Sequence, residues 1–288
     1  RTVKVGNVKI GGGNPVVIQS MAKTDTRDVP GTVAEIRRLE KAGCEIVRVA
    51  VKDMAAARAI KAIKRQIKIP IVADIHFDYR LALESLASGA DKIRVNPGNI
   101  TKTDEFKKII GACKKRKIPI RIGLNSGSIS SKAAHSSSTF IKAALKSIKV
   151  CQRMEFNDII ISIKSSDIRE TVRAYKALPL FCNYPLHLGI TAAGTPDMGI
   201  VKSCIGIGAL LLDGIGDTIR VSLTGDAALE VLAAKRILQA VGVRSFGPNI
   251  ISCPTCGRCQ VNLPKLVSEL ESASKVGKRP ITVAIMGC

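Results

Sequence analysis

The feature of this sequence that most restricts its fold is the repeated alternation of short apolar, β-branched segments with amphipathic segments of about 10 to 15 residues. This alternation is typical of βα units around a parallel sheet. Because eight such units in about 240 residues are the content of a closed (β/α)8 barrel, the pattern predicts an α/β fold of the TIM-barrel class. The eight predicted strands lie at residues 15–19, 45–51, 69–75, 92–96, 118–124, 158–163, 185–190 and 218–223.

Amphipathic segments follow these strands, for example at 32–42, 54–64, 79–88 and 227–241. A doubly wound open sheet is the alternative architecture, because it also alternates strands and helices. That fold usually has a glycine-rich turn after its first strand, whereas the three glycines at 11–13 precede the first predicted strand. The glycines therefore indicate a simple turn, and the barrel is the favoured fold.

A second, smaller unit begins where the alternation ends. It contains a group of cysteines, one helical segment at 263–274 and a final apolar strand at 281–286. The chain stops directly after that strand, so we expect a small α+β domain that is incomplete at the C-terminus. The predicted organisation is a substrate-binding barrel at 1–246 and an apparently truncated domain at 247–288.

The charge balance is strongly positive, because 45 Lys and Arg face 23 Asp and Glu and the net charge is +22. Such a surplus attracts polyanions, nucleic acids included. Aromatic residues make up only 3% of the chain and Trp is absent, so there is little material for stacking bases. The lysines are also scattered over many helical faces. We therefore expect no specific nucleic-acid partner.

The sequence contains neither a run of about 18 apolar residues nor the pattern of a secretion signal, which predicts a cytoplasmic protein without a membrane span, or a protein of the plastid stroma in a eukaryote. Nine cysteines, an odd number spread over a long chain, favour reduced thiols and a metal site over a disulfide framework.

Polar residues occur at alternate positions of the predicted strands, and in a barrel the residues of one parity point inward. They lie toward the C-terminal ends of the strands, where the active sites of barrels are built. The set consists of Arg48, Asp74, His76, Arg94, Asn96, Arg121, Asn125, Ser162, Lys164, Arg220 and Ser222.

Four Arg and one Lys that converge on one rim repel one another by about 1 kcal/mol or more per pair. Only Asp74 supplies negative charge, so the arrangement predicts a multiply charged anion, and arginine forks suit phosphate oxygens. The alternative is a network of salt bridges between strands, for which these strands carry too few carboxylates.

His76 is either a general acid–base group or a structural partner of Asp74. Residues 124–128 either bind an oxyanion through their backbone or form a plain turn.

The cysteines near the end follow the pattern Cys-x2-Cys-x2-Cys, at Cys253, Cys256 and Cys259, with Cys288 after the final strand. Thiolates at this spacing hold either zinc or an iron–sulfur cluster. A zinc ribbon normally has a second close pair of ligands, which this sequence lacks, whereas three thiolates and a fourth group hold a 4Fe-4S cluster. The other five cysteines stand alone and indicate small buried side chains.

These segments resemble the 4-hydroxy-3-methylbut-2-enyl diphosphate synthase family of the methylerythritol phosphate pathway of isoprenoid biosynthesis. The resemblance implies a TIM barrel followed by a 4Fe-4S domain. It runs in the family's order from the first strand to the last cysteine. The matching blocks are 17–21, 47–49, 72–77, 93–99, 121–123, 186–191, 214–222 and 253–258.

The activity that the resemblance implies is an oxidoreductase reaction, the reductive ring opening and dehydration of 2-C-methyl-D-erythritol 2,4-cyclodiphosphate to 4-hydroxy-3-methylbut-2-enyl diphosphate. The implied cofactor is a 4Fe-4S cluster, and the implied electron donor is ferredoxin or flavodoxin. The implied assembly is a head-to-tail homodimer in which the barrel of one chain meets the cluster of the other.

The resemblance also implies residue roles. Asp74, His76 and Lys164 form the catalytic group, and Cys253, Cys256 and Cys288 each ligate one iron, which leaves the fourth iron for substrate. The residues that bind the diphosphate and hydroxyl groups are Arg48, Arg94, Asn96, Arg121, Asn125, Arg220 and Ser222, together with Lys164.

Three departures from the family pattern stand out. Ala192 occupies the position of a family glutamate, the chain ends at Cys288 before the family's Asn-Gly-Pro-Gly-Glu segment, and Cys259 is not a family ligand. That segment contains the fourth cluster ligand, so we expect the 288-residue chain as written to be poorly active. Two alternatives of other kinds are a zinc-bearing nucleic-acid-binding protein and a non-redox barrel enzyme of the dihydropteroate synthase kind.

Overall fold

The computed structural model describes residues 1–100, 102–125, 136–191, 194–274 and 281–288. The chain consists of two compact units, residues 1–237 and residues 238–288. Each unit is built around its own parallel β-sheet.

The first unit contains eight parallel strands in the order predicted from the alternation. Strands β3 to β8 lie side by side in sequence order, and β10 pairs with both β9 and β3. A bridge between Ile161 and Leu186 joins β8 to the segment before β9 and brings the barrel to closure, so the open doubly wound sheet was the wrong alternative. The strands are β3 (Val17–Met21), β4 (Ile46–Val51), β5 (Ile71–Ile75), β6 (Lys92–Val95), β7 (Ile120–Asn125), β8 (Ile159–Lys164), β9 (His187–Leu188) and β10 (Thr218–Ile219).

A helix follows each strand and covers the outside of the barrel. Four of these helices begin at an aspartate whose carboxylate accepts a hydrogen bond from a backbone amide of the first turn, which satisfies a donor that the helix cannot pair. These capping residues are Asp28, Asp53, Asp78 and Asp167. The helices are α1 (Val29–Ala42), α2 (Met54–Lys64), α3 (Tyr79–Ala87), α4 (Thr103–Arg116), α5 (Ser137–Arg153), α6 (Ile168–Ala177), α7 (Pro196–Leu212) and α8 (Ala227–Ala240).

An N-terminal hairpin, which the sequence did not predict, closes the bottom of the barrel. Strands β1 (Thr2–Val5) and β2 (Val8–Gly11) pair antiparallel. The predicted turn at 11–13 follows directly, with positive φ at all three glycines. The hairpin side chains share one buried cluster with residues near the N-terminal ends of barrel strands, so the polar pocket is confined to the opposite end. The cluster comprises Val3, Val5, Ile10, Val17, Ile46, Val72 and Ile160.

The second unit contains β11 (Asn249–Ser252), α9 (Leu263–Ser274) and β12 (Thr282–Ile285). The helix and the final strand lie where the sequence predicts them, whereas β11 was not predicted. The two strands pair in parallel, with Ser252 opposite Ile285. The segments that follow the two strands therefore leave the sheet at the same end.

No helix within the described ranges combines the length and the apolar character that a membrane span needs.

Candidate functional site

A cavity of about 230 Å³ opens at the C-terminal ends of the barrel strands. This is the end where barrel enzymes bind their substrates. Ten of the eleven polar strand residues that were predicted to form the site line it; Asn96 is the exception. The lining consists of Met21, Arg48, Asp74, His76, Arg94, Arg121, Asn125, Ser162, Lys164, Thr191, Arg220 and Ser222.

Strand register brings the charged residues together. Asp74 on β5 pairs with Arg94 on β6, and Arg94 pairs with Arg121 on β7. Asn125 at the end of β7 pairs with Lys164 at the end of β8. Residues paired across neighbouring strands lie about 5 Å apart, so these side chains belong to one continuous polar wall.

Asp74 is the carboxylate at the centre of this wall. Its Oδ1 accepts a hydrogen bond of 2.9 Å from Arg94 Nη1, and its Oδ2 lies 3.6 Å from Arg48 Nε and 3.5 Å from His76 Nε2. Burial alone would raise the pKa of Asp74, but Arg48, His76, Arg94 and Arg121 together hold that pKa well below its usual value. Asp74 is therefore ionised, and its carboxylate holds the side chains of Arg94, Arg48 and His76 in position.

The cations around Asp74 outnumber it. Burial, and then the neighbouring cations, lower the pKa of Arg121 and of Lys164 well below their ordinary values. Burial is also the main cause that lowers the pKa of Arg48, to about 9. The described residues offer no hydrogen-bond partner to several buried donor atoms, namely Arg94 Nε, Arg121 Nε, Arg121 Nη1, Lys164 Nζ and Arg220 Nε.

Buried cationic N–H donors that have no hydrogen-bond partner raise the free energy of the folded protein. A bound anion with several acceptor oxygens removes this penalty. The pocket is therefore built for a multiply charged anion rather than for a neutral ligand.

Two glycines make room for the cationic side chains. A Cβ at Gly123 would lie 2.6 Å from Arg94 Nε, and a Cβ at Gly189 would lie 2.5 Å from Lys164 Nζ. The backbone of Gly123 also contributes directly, since its carbonyl accepts a hydrogen bond of 3.2 Å from Arg94 Nη2. Strand glycines mark close approach of other groups to the backbone, and here the approaching groups are the functional cations.

Two predicted residues lie at the margin of the cavity. Asn96 does not line it, because its Oδ1 accepts a hydrogen bond of 3.1 Å from the Gly98 amide and shapes the turn after β6. His76 is half-exposed, and its Nδ1 lies 3.5 Å from Asn99 Nδ2. The last three residues of the predicted oxyanion turn at 124–128, and the substitution at Ala192, lie outside the described residues.

A second polar layer beneath the cavity was missed from the sequence. Lys92 Nζ donates to Gln19 Oε1 at 3.3 Å, and His187 Nδ1 lies 2.7 Å from Thr218 Oγ1. Burial and Arg121 lower the pKa values of both Lys92 and His187 well below their usual values. Lys92 lies two residues before Arg94, so the same inward parity would have revealed it.

The predicted cluster ligands lie in the second unit. Cys253 follows β11 and Cys288 follows β12, so the parallel register brings both to one end of the two-stranded sheet. The amide of Cys253 donates to the carbonyl of Ile285, and hydrogen bonds from Arg258 lower the pKa of the Cys256 thiol. In the described part of the chain no three His, Cys, Asp or Glu side chains converge at metal-binding distance. The donor chemistry and the common sheet end fit an iron–sulfur cluster, although the thiols are not gathered around one point.

Comparison with known proteins decides the family. Residues 1–235 match the profile described as the GcpE TIM-barrel domain, and residues 249–288 match that of the GcpE protein C-terminal domain. The chain belongs to the GcpE family. This assignment confirms the resemblance that the sequence motifs carried.

Full-length relatives agree with this family. The chain is 52% identical to a protein of Caldanaerobacter subterraneus subsp. tengcongensis and 51% identical to one of Thermodesulfovibrio yellowstonii. Both alignments cover 100% of this chain, and they cover 82% and 84% of the two relatives. Both relatives are named 4-hydroxy-3-methylbut-2-en-1-yl diphosphate synthase (flavodoxin).

Solved structures support the barrel at much lower identity. Dihydropteroate synthase from Stenotrophomonas maltophilia superposes with a TM-score of 0.61 at 15% identity, over 85% of this chain and 99% of that one. The Yersinia pestis enzyme gives 0.60 at 13% identity, over 83% and 97%. These likenesses concern the fold alone.

Gly123→Ala tests the packing of the site. We expect the new methyl group to displace Arg94 from Asp74 and to weaken diphosphate binding about ten-fold or more, since small misplacements of charged groups are costly in buried sites. Gly111→Ala on α4 is the matched control, because a Cβ there meets no atom within 4 Å. Equal affinities of the two variants, measured by calorimetry, would show that Gly123 is not needed for the geometry of the pocket.

Proposed function

We propose that this chain is a reductase of a cyclic diphosphate, which converts 2-C-methyl-D-erythritol 2,4-cyclodiphosphate into 4-hydroxy-3-methylbut-2-enyl diphosphate. For the ionised species, two electrons and one proton are consumed, one carbon–oxygen bond of the ring opens, and a hydroxyl group leaves as water. The observation that carries this proposal is the surplus of buried cations with unpaired donors at the strand ends. Family membership then specifies which diphosphate is bound.

The barrel residues divide the work between binding and proton transfer. Arg48, Arg94, Arg121 and Arg220 present N–H donors for phosphate oxygens, and arginine forks match that geometry. Asn125 and Ser222 supply neutral polar groups for hydroxyls of the substrate. Asn96 shapes the turn beside the cavity and contributes to binding from its margin.

Asp74, His76 and Lys164 form the catalytic group of the proposal. Asp74 stays ionised and fixes both Arg94 and His76. Burial and the neighbouring cations lower the pKa of Lys164, so negative charge on a bound diphosphate favours a proton on Nζ. His76 is half-exposed beside Asp74 and is placed to pass a proton from solvent toward the leaving hydroxyl.

A 4Fe-4S cluster bound by Cys253, Cys256 and Cys288 would supply the two electrons one at a time. Support for this ligand set comes from the common sheet end of Cys253 and Cys288 and from the lowered pKa of Cys256. Flavodoxin is the electron donor that the relatives' names specify, and ferredoxin is the alternative donor. The cytoplasm is the proposed location.

The cluster proposal is tested on anaerobically purified full-length chain. We expect iron, sulfide and an EPR signal on reduction, together with conversion of the cyclodiphosphate to the linear diphosphate by reduced flavodoxin. Cys256→Ser should lose most of the bound iron, because a serine hydroxyl is a poor iron ligand. Cys204→Ser, at an exposed thiol on α7, is the control and should keep it. Zinc in place of iron, or equal iron in both variants, would contradict the proposal.

A homodimer is also part of the proposed function. Helix α7 exposes the apolar side chains of Met198, Val201, Ile205 and Leu212, each at least half exposed, on one helical face. Exposed apolar stripes of this kind mark protein interfaces, and the occupant that we propose is a second copy of this chain.

Ile205→Glu tests the dimer by placing a charge in the centre of that stripe. We expect the wild-type chain to sediment as a dimer and Ile205→Glu as a monomer, because an unpaired buried charge is costly at an interface. Lys142→Glu, at an exposed position on α5, should leave the dimer intact. A monomeric wild-type chain, or a dimeric Ile205→Glu variant, would refute this part of the proposal.

A further inference from the structure

Glu230 on α8 is the second buried carboxylate of the cation pocket, and sequence reasoning did not find it. Its side chain is 1% exposed. Its Oε2 lies 3.6 Å from Arg220 Nη2, and its Oε1 lies 3.1 Å from Lys23 Nζ. Buried carboxylates are uncommon unless they are paired, so two cationic partners account for its presence.

The same carboxylate also fixes the backbone that carries the β10 part of the site. Glu230 Oε1 accepts a hydrogen bond of 3.1 Å from the Leu223 amide, and Oε2 accepts one of 3.2 Å from the Ser20 hydroxyl on β3. Leu223 directly follows Ser222 in the chain. Glu230 therefore fixes the segment that follows β10, at Arg220 through an ion pair and next to Ser222 through the Leu223 amide.

Lys23 completes this arrangement from the loop after β3. Its ammonium donates to the carbonyl of Leu223 at 2.9 Å and also to the carbonyl of Gly225. The loop from 223 to 225 is thus tied to Lys23 and Glu230 together. Because Lys23 shares the carboxylate, Glu230 carries a compensated charge even before an anion enters the pocket.

Arg220 needs such a partner because it faces other cations. Arg220 is among the charges that lower the pKa values of Arg48, Arg121 and Lys164. Asp74 contacts Arg48, Arg94 and His76, and the described residues show no ion pair between Asp74 and Arg220. Without Glu230, repulsion would favour a conformation in which Arg220 turns away from the cavity.

We propose that Glu230 is a positioning residue of this site, which orients the Arg220 guanidinium and the Ser222 backbone toward the bound diphosphate. The inference rests on the proposed function, because it assumes that Arg220 binds a phosphate group. In this arrangement Arg220 Nη2 faces the carboxylate, and the guanidinium is held in the lining of the cavity, where a phosphate group would bind. Glu230 contributes to affinity through Arg220 without lining the cavity itself.

The test compares Glu230→Gln with Glu35→Gln. Glu35 is a matched control, because it is also a buried helix glutamate and accepts hydrogen bonds from the amides of Lys23 and Thr24 at 2.9 Å. The described residues show no ion pair between Glu35 and a cation of the cavity. Calorimetry on the oxidised holoenzyme gives the dissociation constant for the cyclodiphosphate, and steady-state kinetics give KM and kcat.

We expect Glu230→Gln to raise the dissociation constant and KM about ten-fold or more, a loss of affinity within the usual range of coupling between contacting charged groups. The value of kcat at saturation should change less than about threefold. Glu35→Gln should stay within about twofold of wild type. Glu230→Asp, which keeps the charge on a shorter side chain, should recover part of the affinity. An unchanged dissociation constant in Glu230→Gln would overturn the inference.

A double-mutant cycle separates positioning from a merely structural role. In the background of Arg220→Gln, we expect Glu230→Gln to weaken binding by only about twofold further, because Arg220 is already absent and only the Ser222 segment is still affected. Equal losses in both backgrounds would show that Glu230 does not act through Arg220. If Glu230→Gln fails to fold, the same cycle with Glu230→Asp tests the same coupling.

Failure of the inference and failure of the proposed function give different results. A wild-type holoenzyme that binds no cyclodiphosphate contradicts the proposed function. The positioning role of Glu230 then also fails, because Arg220 binds no phosphate group of that ligand. A wild-type holoenzyme that binds and converts it, beside a Glu230→Gln variant of equal affinity, contradicts only the positioning role.

Discussion

Buried positive charge in excess of buried negative charge is the constraint on which the rest of this site depends. At a buried barrel end, each unpaired cation loses hydration that its neighbours cannot replace. Asp74 compensates Arg94 and part of Arg48, and Glu230 compensates Arg220. Among the described residues, no carboxylate contacts Lys164 or Arg121, and burial together with the neighbouring cations lowers the pKa values of both. A doubly charged ligand supplies the missing negative charge.

The barrel makes this arrangement possible because its strands hold the cations in place before the ligand arrives. The floor is apolar and is closed by the N-terminal hairpin, and the next layer holds buried polar contacts such as that between Lys92 and Gln19. Only the rim carries the crowded guanidinium groups. Donors fixed in this way require little reorganisation when an anion binds, and their attraction is strong in a low dielectric.

Sequence alone predicted the barrel and most of the site, since both follow from local periodicity. Strand alternation placed Asp74, Arg94 and Arg121 on one face, and the register of the real strands brought them into contact. Contacts between elements distant in sequence were not accessible in this way. Glu230 lies on a helix whose outward and inward faces both contain apolar residues, and its partner Ser20 is 210 residues away.

The remaining differences have the same origin. The hairpin strands are only four residues each, too short to show periodicity, and their role comes from packing against the barrel floor. Asn96 lies at an inward position by strand alternation. Its side chain nevertheless turns toward the loop after β6, because its Oδ1 accepts a hydrogen bond from the Gly98 amide. At this strand end, a local side chain–backbone hydrogen bond therefore determines the side-chain direction in place of the strand alternation.

Proton uptake on ligand binding is the most direct test of the charge deficit. The phosphates of the cyclodiphosphate are esterified on both sides and do not titrate near neutral pH, so any proton taken up goes to the protein. Burial and the neighbouring cations hold the pKa of Lys164 well below its ordinary value, and a bound anion raises that pKa back toward it. A rise in the pKa of this amine on binding increases its protonation, which is uptake of a proton by the protein.

The measurement is calorimetric titration of the cyclodiphosphate in buffers of different ionisation enthalpy, at several pH values from about 7 to 9. We expect net proton uptake by the wild-type chain and smaller uptake by Lys164→Gln. Tight binding without uptake, or with proton release, at every pH would contradict the claim that uncompensated buried cations bind the diphosphate.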